Sequence, residues 1–562
     1  MLFSRHLLAI ALSALADPSS HLLPVAAACP HPGTVTVGGA FPALLDAELD
    51  ELAAGLESGL FSSVDLVEAY TARIREVNDT VRAVTELNPD ALSIAADADE
   101  SRARGEVLGP LHGIPILLKN NIATGDSMGN TAGSHALAGA KVAEDSTVAA
   151  KLRKAGAVIL GKANLSQWAN CRSSNSSNGW SAYGGLTEGA YYPQQDPSGS
   201  SSGSGVAASL GLAFAALGTE TDGSIVSPSS ANNIVGIKPT VGLTSRYLVI
   251  PISEHQDTVG PMARTVKDAA YVLAAIAGPD PKDNYTSAIP FETTPDYVAA
   301  CDSSALEGKR IGIPRNMLGT ADPDGVWITA FNESLAVFRD AGAEVVDDIH
   351  LEGWDWALDK AAFSDIALRD FARNLGEYFA QLVVNPQDIT TLSDLQDFTQ
   401  GSELEEWPAR DTDRFQDGIE REMQEVTPEF WEAYQEYLYH AGELGVTGAL
   451  RNHSLDALVV PSPLASHFPA ILGSPVVSVP LGRYPDDTPA VKNAFGDLNA
   501  VSPNYPFGIS FLGEWFSEER LIGLAYAFEQ RTMARREVVP YIQPTTELED
   551  VVGKRRYFSA NN

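Results

Sequence analysis

The stretch Ser198-Gly199-Ser200-Ser201-Ser202-Gly203-Ser204-Gly205 is followed closely by Gly218-Thr219-Glu220-Thr221-Asp222-Gly223-Ser224-Ile225. Between them, Val206 to Ala216 is a dense run of Ala, Leu, Val and Phe, which reads as a buried helix running into a strand. A Gly/Ser stretch standing alone reads as a flexible linker, but linkers join domains and this one enters a core. Well upstream, Gly113-Ile114-Pro115-Ile116-Leu117-Leu118 is an apolar run that leads to Lys119. It reads as a strand entering a core, with the lysine stem packed and its amine pointing into a cleft.

These segments together supply a nucleophile, a relay hydroxyl, a base and a loop able to hold an oxyanion, the combination that amide hydrolysis requires. A serine hydroxyl attacks an amide only when a neighbouring base takes its proton. Lysine serves as that base only when neutral, so its pKa must fall from ~10.4 towards roughly 7–8, which burial achieves by penalising the ammonium. In Thr221-Asp222-Gly223-Ser224 a tight turn can aim several backbone N–H groups at one point and so stabilise a tetrahedral intermediate. Gly223 gives that turn conformations closed to other residues.

Two other motifs are set aside. Gly199-Ser200-Ser201-Ser202-Gly203 matches the G-x-S-x-G nucleophile elbow centred on Ser201, but the residues before it, Tyr191 to Pro197, are polar and broken by proline rather than a hydrophobic strand. Gly156 to Ala163 nearly fits a phosphate-binding loop, but Ala163 replaces the Ser/Thr that would bind magnesium. Its centre, Val158-Ile159-Leu160, reads as a buried strand with Lys162 just past its end.

On these residues the chain resembles the amidase signature family, whose members use a Ser-cisSer-Lys triad. The resemblance extends through Gly236 to Gly242, Asp257 to Arg264, Pro506 to Ile509 and Glu518 to Gln530. It implies an α/β fold, one amidase domain over 40–545 with a mixed twisted sheet covered by helices. It also implies Ser224 as nucleophile, Ser200 as the serine with a cis peptide bond, and Lys119 as general base. The backbone N–H groups of Thr221, Asp222, Gly223 and Ser224 match the family's oxyanion hole. Thr219 matches a position supporting the hydroxyl network, although a structural role as a strand-end threonine fits equally.

The departures from the family pattern are informative. Ser198-Gly199 stands where two glycines are common, Asp222 replaces the first glycine before the nucleophile, and Val226 replaces an arginine. With Asn164 to Asn170 and Gly179-Trp180-Ser181, these variations resemble the peptide amidase branch, whose members remove the C-terminal carboxamide of peptides and release ammonia. The mechanism implied runs from Ser224 through Ser200 to neutral Lys119, with an acyl-enzyme on Ser224. The resemblance calls for no cofactor and no metal, and no Cys-x-x-Cys or His-Glu-x-x-His pattern occurs.

The 562 residues, 44% of them hydrophobic, suffice for a large core. Asp46 to Leu60 shows helical spacing, and Ser63 is placed to cap a helix over Val64 to Val77. Residues 351–440, rich in Trp, Glu and Gln, read as a helical insertion shaping the substrate entrance, and 546–562 as a C-terminal tail. A net charge of −35 excludes a nucleic-acid binder, which needs a basic footprint, and disfavours attraction to anionic membranes. The expected partner is a small or peptide amide, with no nucleic acid, no stable membrane anchor, and a monomeric or homodimeric chain.

Arg5 and His6 precede the short apolar run Leu7 to Ala16, which reads as a secretory signal peptide within residues 1–28, cleaved after 16 or 28. Asn78, Asn164, Asn175, Asn284, Asn332 and Asn452 each begin a glycosylation sequon, in keeping with a secreted glycoprotein, although Asn164 and Asn175 fall near the candidate site. Cys29, Cys171 and Cys301 allow at most one intramolecular disulfide, with the pairing open. Three readings stand: a secreted amidase of peptide carboxamides, a family hydrolase of another small amide or ester such as an aryl amide or secondary metabolite, and a non-catalytic binding protein on the same fold. An amidotransferase subunit, a further option within the family, is disfavoured by the acidic charge and the export signal.

Overall fold

The computed structural model describes residues 41–319, 325–360, 363–422 and 428–560. The signal peptide expected within 1–28 and Cys29 lie outside the described residues. One sheet of eleven strands organises the chain. In chain order these are β1 (Val84–Leu87), β2 (Pro115–Lys119), β3 (Val158–Ala163), β4 (Ala215–Glu220), β5 (Val235–Lys238), β6 (Thr258–Ala263), β7 (Arg310–Pro314), β8 (Glu344–Ile349), β9 (Ala457–Pro461), β10 (Val476–Arg483) and β11 (Pro506–Leu512). Their spatial order is β1-β3-β2-β4-β6-β5-β10-β11-β9-β7-β8. The sheet is mixed: β2 runs parallel to both β3 and β4, whereas β6 is antiparallel to β4 and β5.

The central strands are apolar because both faces are covered, as near-continuous hydrophobic runs require. Every residue of β2, β3 and β4 is buried. Lys162 lies within β3 rather than past its end, fully buried, and its amine donates to the Ile122 carbonyl. The Ser/Gly stretch is no linker. Ser202–Ser209 is a fully buried helix, and a Cβ on Gly203 would come within 2.3 Å of the Ala83 carbonyl oxygen, so only glycine admits that approach.

At the N-terminal side, helices span Leu49–Glu57 and Ser63–Val81. The cap of the second is Ser62, not Ser63: Ser62 Oγ accepts from the Asp65 N–H, and the Asp65 carboxylate reaches back to the Ser62 N–H at 2.8 Å. That reciprocal pair outcompetes Ser63, whose N–H donates to Asp99 instead. Within 351–440 the helices are Glu352–Lys360, Phe363–Phe379, Leu392–Gly401, Asp413–Glu422 and Pro428–Ala441. Phe371, Leu375, Phe379, Leu392 and Phe415 form a separate core with Trp168, Ile250 and Ile252. Residues 548–560 form a helix, and just before it Thr546 and Glu547 accept hydrogen bonds from buried Arg73. Cys171 and Cys301 are both free thiols.

Candidate active site

Three neighbouring elements bring the candidate residues together. Lys119 ends β2, Thr219 and Glu220 end the adjacent β4, and Ser200 precedes the helix Ser202–Ser209. Lys119 and Ser200 are fully buried, and Ser224 is 7% exposed. The Gly199–Ser200 peptide bond is cis. Ser201 N–H donates to the Ser224 carbonyl at 3.2 Å, tying the two serine segments to each other. Ser201 itself is structural, its hydroxyl bonded to the Thr219 carbonyl at 3.1 Å.

Lys119 Nζ lies 2.7 Å from Ser200 Oγ, 2.9 Å from Thr219 Oγ1 and 3.2 Å from the Thr219 carbonyl. Burial pulls its pKa down to about 7, against the opposing pull of the Asp257 and Glu220 carboxylates. A neutral amine has two N–H groups and one lone pair. With the two N–H groups given to Thr219, the lone pair is left facing the Ser200 hydroxyl. Asn121 Nδ2 donates to Thr219 Oγ1 at 3.0 Å and holds that hydroxyl in place.

The turn after β4 is fixed from below. Glu220 Oε2 accepts the N–H groups of Ile225 and Val226 at 2.6 and 2.8 Å, and Gly223 adopts φ +82°. Thr221 Oγ1 donates to Asp257, whose other oxygen accepts the N–H groups of Ile252 and Ser253. Burial pushes Asp257 up to about 6. No backbone or side-chain acceptor takes up the N–H groups of Thr221, Asp222, Gly223 or Ser224 among the described residues, so they are free to meet a carbonyl oxygen.

Sequence reasoning placed the lysine, the serines and the turn, and missed Asn121, Asp257, Glu220 and His467, whose Nδ1 lies 2.8 Å from Asp222 Oδ2. Asn121 was within reach, two residues beyond Lys119. His467 comes 245 positions after Asp222, and no local pattern links them. Glu254, His255 and Asp370 cluster closely enough to hold a metal, but Asp370 Oδ2 already binds Ser253 Oγ and His255 Nδ1, and Glu254 pairs with Arg373.

The family model described as Amidase matches residues 65–522. This chain belongs to the amidase family. An Arthroderma benhamiae protein named "Putative amidase" is 52% identical over 532 residues, covering 91% of this chain and 90% of the relative. Among solved structures, native peptide amidase from Stenotrophomonas maltophilia is 39% identical, with a TM-score of 0.79, over 88% of this chain and 99% of that one. An amidase family protein from Bacillus anthracis is 31% identical, with a TM-score of 0.77, over 88% and 93%. The amidase is thus a hydrolase of carbon–nitrogen bonds in amides, on the mixed α/β fold of its neighbours.

Proposed function

We propose that this amidase hydrolyses carboxamides such as the C-terminal amides of peptides, releasing ammonia through an acyl-enzyme on Ser224. The observation that carries the reading is the 2.7 Å contact between Lys119 Nζ and Ser200 Oγ, both side chains being fully buried. In this mechanism neutral Lys119 takes the Ser200 proton as Ser200 takes that of Ser224. The Ser224 Oγ–carbon bond forms, and the oxyanion accepts hydrogen bonds from the N–H groups of 221–224. Collapse breaks the carbon–nitrogen bond, Ser200 passes its proton to the departing nitrogen, and Lys119 returns one to Ser200. Water, activated by the same relay, then releases the acid. Thr219 orients the lysine lone pair, with Asn121 behind it.

The peptide-carboxamide reading is supported by the likeness to the Stenotrophomonas maltophilia peptide amidase and by the net charge of −35, which disfavours a free carboxylate in the substrate. Ammonia release from a panel of amidated peptides, with Ser224→Ala beside wild type, tests it. Release by wild type alone is the expected result. A silent wild type that still labels covalently at Ser224 removes the substrate, and equal activity of Ser224→Ala removes the mechanism.

We also propose export of the protein through its N-terminal apolar segment, with glycans on exposed sequons. Asn284 and Asn452 are exposed, whereas Asn164 is fully buried and gives its amide to Thr187 Oγ1 at 2.9 Å. Expression of the full chain in a eukaryotic host, with glycosidase digestion of the medium, is expected to yield a protein modified at the exposed sites. Retention inside the cell would sink this part.

A further inference from the structure

Asp222 sits in the turn that carries Ser224, and its carboxylate reaches away from it. Asp222 Oδ2 accepts a hydrogen bond from His467 Nδ1 at 2.8 Å. His467 opens the helix His467–Leu472, a few residues beyond β9. The preceding residue packs on the same turn, since a Cβ on Gly223 would lie 3.2 Å from Ser466 Oγ. Residues 466 and 467 thus form one wall of the nucleophile turn. Behind the imidazole stacks the buried Trp354 ring, with centroids 6.4 Å apart and planes at 28°. The pair is within reach of solvent, with 43% of the His467 side chain and 25% of that of Asp222 exposed.

We propose that His467 is a positioning residue for the reaction at Ser224: as an imidazolium it cancels the Asp222 charge beside the oxyanion, and its deprotonation sets the alkaline limit of activity. This rests on the reading of 221–224 as the oxyanion loop. The tetrahedral intermediate places a negative charge against N–H groups of the loop to which the Asp222 carboxylate is attached. Those like charges oppose each other at the edge of a partly buried site, where water screens them only in part. An ion pair with His467 leaves the turn neutral overall and fixes its orientation from outside.

The local charges agree with this role. The partial loss of water around the two groups acts to raise Asp222 and lower His467. Their pairing outweighs both, so Asp222 stays below its ordinary range and His467 above its own. From the strands beneath, Lys238 and Glu220 also face Asp222, and Asp257 lies under Thr221. Glu220 is occupied by the N–H groups of Ile225 and Val226. Lys238 donates to the Ser474 carbonyl at 2.6 Å, and burial lowers it to about 8. Lys238 is thus a second group that titrates on the alkaline side, so the experiment has to separate it from His467.

The probe is a fluorophosphonate. Ser224 Oγ bonds to its phosphorus, fluoride leaves, and the serine proton passes to the relay. Labelling rates are measured on the full chain from about pH 5 to 10, for wild type, His467→Gln, Asp222→Asn and the double variant. The wild-type rate is expected to fall on the alkaline side, and that limb to vanish in all three variants. His467→Gln is expected to cost about tenfold near the wild-type optimum but under about twofold in the Asp222→Asn background, because no anion is left to neutralise. A wild type without an alkaline limb, a limb that persists in both single variants, or equal cost of His467→Gln in the two backgrounds overturns the proposal. Wild type that does not label at Ser224 overturns the underlying mechanism instead.

Discussion

Glu220 Oε2 accepts the Ile225 N–H at 2.6 Å and the Val226 N–H at 2.8 Å, so one buried carboxylate closes the turn that carries Ser224. Glu220→Ala would leave both N–H groups unpaired inside the protein, at about 1–3 kcal/mol each. The urea midpoint is expected to fall, and kcat to fall about 10- to 100-fold as the oxyanion donors lose their aim. Glu220→Gln keeps an acceptor oxygen and should land between. Unfolding and turnover measured on the same samples separate the effects. Wild-type kcat in Glu220→Ala, at reduced stability, would show that the turn holds its shape without the carboxylate.

Lys119 must be neutral to act as a base, and burial places its pKa at about 7. The rate should therefore rise with pH through about 7, the reverse of what an essential ammonium would give. Lys119→Ala is expected to lower kcat/KM by about 100- to 10,000-fold and to erase that limb. Lys119→Arg should fare no better, because guanidinium does not give up its proton in this range. A rising limb that survives in Lys119→Ala assigns it to another group, Asp257 being the nearest candidate at about 6.

What the sequence disclosed, and what it hid, follows from how far each interaction reaches along the chain. β2 and β4 were legible because burial on both faces forces unbroken apolar runs, and Lys119 stands out at the end of one. The helix after Ser62 was legible too, but its cap was displaced by one residue, because Ser-Ser offers two hydroxyls and only geometry chooses between them. The polar contacts beneath and beside the turn were less accessible. Thr221 finds Asp257 across 36 positions and Asp222 finds His467 across 245, and pairing at that range leaves no periodicity to read.

Asp268 is a buried acid and Glu529 a half-buried one near the start of the helix Leu49–Glu57, and desolvation pushes their pKa values up to about 7 and about 8. An acid raised on folding keeps its proton in the native state after the unfolded chain has lost it. Its contribution to stability therefore falls as pH rises from the ordinary carboxylate range towards the raised value. Glu529→Gln removes that penalty and can still accept the Val266 N–H, now made to Glu529 Oε1 at 2.9 Å. The Tm of Glu529→Gln relative to wild type is expected to increase steadily between about pH 5 and 8. A difference that stays constant across that range would mean Glu529 is ionised throughout.

Arg172 and Glu405 form an ion pair at 3.2 Å, with their side chains 2% and 0% exposed. Glu405 also accepts from Ser134 Oγ at 2.8 Å and from the His135 N–H at 2.7 Å, while Arg172 Nη2 donates to the carbonyls of Glu405 and Arg410. This network pins the helical region 351–440 to the loops leading from β2 and β3. Arg172→Ala would leave a buried carboxylate with hydrogen bonds but no counter-charge, at about 3–5 kcal/mol. Arg172→Met combined with Glu405→Gln removes both charges and should recover part of that loss. Chemical denaturation gives the magnitudes, and limited proteolysis reports whether 351–440 is cut first in Arg172→Ala. If the double variant is no more stable than Arg172→Ala, the loss comes from the broken hydrogen bonds of the guanidinium and not from the stranded charge.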